Sequence, residues 1–195
     1  MRYAKVAENA ANEFVWGAGI LCRDFDPETG EVSSGSIIGA TTGQTTFKDV
    51  PTFIDDAEDV NNAPANMMEF MRIGKRDITL AGTYVSVSAA TIKKLMASAD
   101  VDGRKITPRD VLKASDFEGV WWVQDYTKDN SDETGGALAI HLMNGLNTDG
   151  LTIQSGSESK AQFPFTYRAH YSVKAQGKVP YEVYIRTGES EEETA

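Results

Sequence analysis

Cysteine occurs once, at Cys22, and histidine twice, at His141 and His170. A single thiol excludes an internal disulfide and a cysteine-rich metal site. Cys22 reads as a small buried packing group rather than a nucleophile. Each histidine lies in a strand pattern with no second histidine or carboxylate at ligand spacing. Both therefore read as sheet side chains rather than metal ligands or general bases. No G-x-S-x-G turn occurs. The segment Gly39–Thr45 (GATTGQT) lacks the lysine and the glycine spacing of a phosphate loop. Asp100-x-Asp102-Gly103 lacks the remaining acidic ligands of a calcium loop and reads as a turn. No apolar run approaches membrane-spanning length, and the first residues (MRYAKVAENAANEF) have no apolar core of a signal peptide, so export by that route is not expected. Basic charge is short: 19 Lys and Arg stand against 29 Asp and Glu, a net charge of −10. That balance argues against a protein that binds nucleic acid by displacing counterions from phosphates. The expectation is a non-enzymatic chain with no catalytic residues, metal or cofactor.

What is present suits a folded domain. Hydrophobic residues make up 41% of the chain, with aromatics throughout, which is not a disordered composition. A chain of this length can bury roughly two-thirds of its unfolded surface. A single domain over residues 1–188 is expected, followed by a short acidic tail at 189–195. The organising stretch runs from Ile73 to Ala99. Ile78, Leu80 and Tyr84 alternate as in a half-buried strand, and Gly82 marks a bulge or a close approach of backbone. Ser88 is a helix N-cap. Ala89, Ile92, Leu95, Met96 and Ala99 then form one apolar stripe, predicting a helix over about 89–99.

Phe14–Asp24 and Glu31–Ile38 flank turn residues at Asp26-Pro27 and Thr29-Gly30 and are expected to pair as a hairpin. Thr107-Pro108-Arg109-Asp110 has the form of a second, short helix start. Gly119–Tyr126 and Ala137–Met143 read as strands joined by the loop DNSDETGG. Leu151–Ile153 begins another strand. Phe163, Phe165, Tyr167, Ala169, Tyr171 and Val173 alternate without a break, and Tyr181, Val183 and Ile185 form the last strand. Pro164 belongs at a strand start or an edge. Trp121 and Trp122 are adjacent, so they point to opposite sheet faces. Only one could offer a stacking platform, and packing is the favoured role of both. Regularly spaced strands with turn signals predict an antiparallel β-sandwich or barrel with one flanking helix.

The segment Gly39–Phe70 differs from the rest. It is polar, holds Pro51 and Pro64, and has an acidic knot at Asp55, Asp56, Glu58 and Asp59. Yet it also carries Phe47, Val50, Phe53 and Ile54 at strand-like spacing. So long a connection inside a domain is uncommon and usually functional or disordered. Two readings stand equal: a partly β excursion that packs outside its own domain, or a hairpin folded back on its sheet.

Several segments together resemble one protein family. They are Thr45-Thr46-Phe47 through Asn61-Asn62-Ala63-Pro64, Leu80-x-Gly82-Thr83-Tyr84-Val85, Asp116-Phe117-x-x-Val120-Trp121-Trp122-Val123-x-Asp125-Tyr126, Gly135 to Asn144 (GGALAIHLMN), and Gly177-x-Val179-Pro180-Tyr181-Glu182-Val183-Tyr184-Ile185. In order and number, over roughly residues 35–186, they resemble the major tail tube proteins of long non-contractile-tailed (siphovirus-type) bacteriophages and related prophages. The individual motifs are short and carry no chemical signature.

The resemblance implies a β-sandwich with a flanking helix whose copies close into homohexameric rings. The rings stack helically into a tube that conducts genomic DNA to the host cell. It also implies a long loop between early strands that reaches the neighbouring ring. Residues 39–70 fit that place, with Phe47, Val50, Phe53, Ile54, Asp55, Asp56, Glu58 and Asp59 as its contact residues and Lys75, Arg76, Arg104 or Lys105 as cations it could meet. The implied partners are the chain itself and the tail terminator, tail tip and tape-measure proteins. DNA passes without specific binding and no membrane is involved. The implied location is the virion tail, after synthesis in the bacterial cytoplasm. At −10 per copy, an acidic lumen would repel phosphates and let DNA slide. Two other readings remain at this level: the inner tube of a contractile tail or injection system, and a carbohydrate-binding β-sandwich that uses one of the paired tryptophans.

Overall fold

Alternating apolar residues become strands, and pairing among them is antiparallel throughout. The computed structural model describes residues 14–126 and 136–186. Within these residues the strands are β1 (Val15–Cys22), β2 (Thr41–Asp55), β3 (Met71–Tyr84), β4 (Ala99–Asp102), β5 (Lys105–Pro108), β6 (Glu118–Tyr126), β7 (Gly136–Asn147), β8 (Gln154–Gly156), β9 (Ser159–Arg168) and β10 (Tyr181–Arg186), with one α-helix, α1 (Ala89–Leu95). The main sheet runs β1-β6-β7-β9-β3-β2, with β10 added to β7 and β8 to β9; β4 and β5 form a separate hairpin. The protein is mainly β, with a flanking helix, as the strand pattern predicts.

Strand β7 is the joint of the sandwich. Its first part lies between β6 and β10, while Leu146 and Asn147 pair instead with Arg168 and Tyr167 of β9. The pairing with β6 slips between Glu118 and Val120. Opposite that slip Asn144 takes a left-handed conformation, φ 48°, which asparagine tolerates better than most side chains. Its amide donates to the His170 carbonyl at 3.0 Å. The strands on the two sides of this bend share one core: Leu21, Val120, Trp122, Ile140 and Leu142 from one layer, and Ile78, Leu80, Tyr84, Phe165 and Tyr167 from the other. Tyr84 stacks on Phe165 with ring centroids 4.4 Å apart. A second cluster lies on the outer face of β6 and β7, where Phe25 from the loop after β1 packs with Cys22, Trp121 and Ala139.

Two buried polar side chains fix the helix. Thr91 donates to the Ile38 carbonyl at 2.9 Å. Asn147 donates to the carbonyls of Leu95 and Gly150 and accepts from the Thr166 amide. With all these bonds made, burial of the Asn147 amide carries little penalty. Ser88 caps the helix by accepting from the Thr91 amide, as its sequence position predicts.

Several expectations need correction. The helix ends at Leu95, not near residue 99, because Ala97 adopts φ 62° and Ala99 already pairs in β4. Its buried residues are Thr91 and Leu95, while Ala89 is exposed. No helix starts at Thr107: Thr107 and Pro108 close β5 opposite Asp100 and Ala99, where a residue without an N–H fits a strand end. Residues 151–153 are not a strand; β8 starts at Gln154. Strand β9 stops at Arg168, and Tyr171 and Val173 are exposed as the chain crosses towards β10. The expected first hairpin is reduced to two isolated bridges, Cys22 to Ile37 and Phe25 to Val32, since β1 spends its length on β6. Pro164 lies inside β9, at a point where β3 is its only strand neighbour. Most of the loop DNSDETGG, residues 1–13 and the acidic tail lie outside the described residues.

Candidate assembly interface

The segment expected to be a long connection is half of a hairpin. Strand β2 pairs with β3 from Thr41 opposite Tyr84 to Asp55 opposite Met71. Only Thr79–Tyr84 of β3 also pair with β9. Beyond that point the two strands run on as a two-stranded arm, with no other strand paired to them among the described residues. The segment supplies one strand of a hairpin whose distal half is not folded back on the sheet, which departs from the second of the two readings.

A clamp stands where the arm leaves the body. The Asp49 carboxylate accepts from Arg76 and, at 2.9 Å, from the Tyr181 hydroxyl. That bond pushes the Tyr181 phenol up from its ordinary range. Phe47 lies on the body side of the clamp, with its ring 5.2 Å from that of Tyr181.

Residues opposite one another in an antiparallel pair share a face. Phe47 with Leu80, Asp49 with Ile78 and Pro51 with Arg76 form the core-side face. Then the register shifts between Thr52 and Phe53. Thr52 faces Lys75 and Phe53 faces Ile73, so Gly74 is the extra residue of a bulge. A Cβ on Gly74 would fall 2.4 Å from the Ile54 side chain, so glycine makes room for it. The bulge changes the parity of β3. Without it Ile73 would turn to the other face; with it, Phe53–Ile73 and Asp55–Met71 continue the core-side face into solvent. Phe53 is 59% exposed and Ile73 45%. The opposite face pairs Val50 with Asp77, Thr52 with Lys75 and Ile54 with Arg72.

The tip is built by two of the four acidic residues. Asp55 accepts from the amides of Ala57 and Asn66 at 2.9 and 2.8 Å, and these bonds hold its carboxyl below the usual range. Both carboxylate oxygens of Asp56 accept from the Arg72 Nε–H, at 2.9 and 2.7 Å. Glu58 and Asp59 are exposed and have no ion-pair partner among the described residues. Val60, Met68 and Phe70 are also exposed. Thus Val50, Phe53, Ile54, Glu58 and Asp59 stand outward, Asp55 and Asp56 build the turn, and Phe47 belongs to the body. Sequence reading missed Ile73, Met71, Met68 and Phe70. The signal was there: Ile73 and Ile78 are an odd number apart with Gly74 between, as a bulge requires.

The other candidates are packing groups. Trp121 and Trp122 are both buried, one in each cluster. Trp122 donates to the Ala18 carbonyl at 2.9 Å, and Trp121 stacks flat on His141 at 4.1 Å. Neither offers a face to a sugar. Burial lowers the pKa of His141. Burial pushes the Cys22 thiol up to about 11, so it is a poor nucleophile at neutral pH. Among the described residues no three His, Cys, Asp or Glu side chains are grouped to hold a metal ion, and no helix is long and apolar enough to cross a membrane. In comparisons with known proteins, no family model matches this chain and no curated protein matches it significantly.

Proposed function

We propose that this chain is a structural subunit of a bacteriophage tail tube, in which hexameric rings stack into a hollow conduit for DNA. The observation that carries the reading is the arm. A two-stranded ribbon with an apolar face has too little to bury by itself to be stable in water. Phe53 and Ile73 are paired and exposed on one face of the arm, and Met68 and Phe70 are exposed towards its tip; exposed apolar side chains in number mark an interaction site. The segment resembling the inter-ring loop of tail tube proteins coincides with this arm. The acid surplus supports a passive conduit, because a negative wall gives phosphates no binding site. The buried tryptophans remove the main support for a carbohydrate-binding module.

The test is negative-stain microscopy and sedimentation of the purified chain over a range of concentration. Rings or tubes are expected. A monomer at every concentration would count against the proposal.

A further inference from the structure

The arm leaves the body between two side-chain ties, one on each face of the ribbon. On the core-side face the Asp49 carboxylate accepts from the Tyr181 hydroxyl at 2.9 Å and from Arg76. Asp49 and Arg76 belong to the ribbon, whereas Tyr181 opens β10, which pairs with β7 in the other layer. On the opposite face Asp77 forms an ion pair at 3.2 Å with Arg168, the last residue of β9. At the same level the Ala169 amide donates to the Ile78 carbonyl at 3.0 Å. The two ties are unequal. Asp77 and Arg168 are half exposed, where an ion pair is worth little. The Asp49 side chain is only 12% exposed and that of Arg76 25%. The other oxygen of the Asp49 carboxylate is buried with no hydrogen-bond partner among the described residues.

We infer that the Tyr181 hydroxyl aims the arm, fixing the angle at which the ribbon leaves the body in a single free copy. Buried ionic groups return little net stability, and their best-attested use is to select one arrangement among several. Here the arrangements differ in the direction of the ribbon. Past Thr79, towards Met71, β3 has no paired strand except β2 among the described residues, so strand pairing leaves that direction open. The Phe47 ring packs on the Tyr181 ring, but apolar contact is not directional. A hydrogen bond to a carboxylate constrains both distance and angle. An arm already held in place needs no ordering when it meets another surface, which favours the contact. Tyr181 is thus a positioning residue. Arg76 is occupied at the base rather than open to the acidic tip. The aim is set within one copy and does not depend on assembly.

The experiment measures the distance between spin labels on E58C, at the arm tip, and E158C, at the exposed turn between β8 and β9. Labelled chain is diluted in unlabelled chain, so that only distances within one copy are read. Cys22 is buried and takes no label. The parent should give one narrow distance distribution. Y181F keeps the ring and loses only the hydroxyl, and its distribution should widen by about twofold or more. R168Q should stay close to the parent, because its ion pair is exposed. Hydrogen exchange is a second readout. In Y181F the Ala169 amide should exchange about tenfold faster, as loss of a hydrogen bond to a charged group implies, with the amides of β1 and β6 unchanged. Melting curves check that each variant folds. Y181F with the parent's distance distribution would overturn the inference, as would a parent distribution as broad as that of Y181F. Widening in R168Q equal to that in Y181F would overturn the assignment to Tyr181.

Discussion

The two halves of the β2–β3 hairpin are one continuous strand pair with opposite fates. In the body half, Ile78, Leu80 and Tyr84 are almost wholly buried against β6, β7 and β9. In the arm half, Phe53 and Ile73 occupy the continuation of the same face and meet solvent. Backbone pairing is common to both, so it does not distinguish them. What differs is whether the chain itself supplies the second layer. The body half is covered by other strands of the chain, and the arm half is not covered by any strand among the described residues.

Breaking each half should therefore register in a different measurement. The largest loss of stability belongs to the body. Leu80→Ala should cost about 2–5 kcal/mol in urea unfolding, because a buried leucine leaves a cavity that its neighbours only partly fill. Phe53→Ala should change unfolding by less than about 0.5 kcal/mol, as exposed positions usually do, yet it should impair assembly. Equal effects of the two on unfolding would erase the contrast.

Gly82→Val sharpens the comparison inside the body. The added Cβ would lie 2.8 Å from the Phe165 ring, which is itself buried and stacked on Tyr84 and has nowhere to go. Such overpacking should cost about 1–3 kcal/mol in the same unfolding assay. Deleting Gly74 tests the arm in the reverse sense. Unfolding of the body should shift by less than about 1 kcal/mol, while Ile73 turns away from Phe53 and assembly fails. Normal tubes from the deletion would show that the parity of the bulge is irrelevant.

The smallest effect is that of pH on the tip. The Asp55 carboxyl titrates below its ordinary value of 3.8 because it accepts two backbone amides. A depressed carboxyl favours the folded tip above the unfolded pKa and loses that contribution as pH falls through the folded one. Hydrogen exchange at the Ala57 and Asn66 amides should accelerate below about pH 3.8 relative to neighbouring amides, once corrected for the intrinsic pH dependence. Unchanged protection at lower pH would mean that the carboxylate does not hold the turn.

Much of the body was legible because its residues alternate without interruption. Phe163–Tyr167, Ile78–Tyr84 and Ala137–Met143 read as strands and are strands. Legibility failed where a single backbone event outweighed the pattern. One left-handed residue, Ala97, cuts the apolar stripe after Leu95 short. Thr107-Pro108 has the composition of a helix start, but pairing with Ala99 and Asp100 decides it. The arm was visible only in part. Its β2 side stood out by the mixture of Phe53 and Ile54 with charge, whereas its β3 side was hidden by the phase change at Gly74. The acidic knot read as four equivalent charges. The fold divides them, since Asp55 and Asp56 answer donors within the tip and leave Glu58 and Asp59 free.

Pro51 gives the arm one more property. It stands on β2, the last strand of the main sheet, at the level of Arg76, and it has no amide hydrogen to offer. Proline on a border strand discourages a stranger's backbone from zipping on. At that level of β2 an incoming strand would meet no amide hydrogen to accept, so Pro51 interrupts one border of the arm as a template for fibril-like addition.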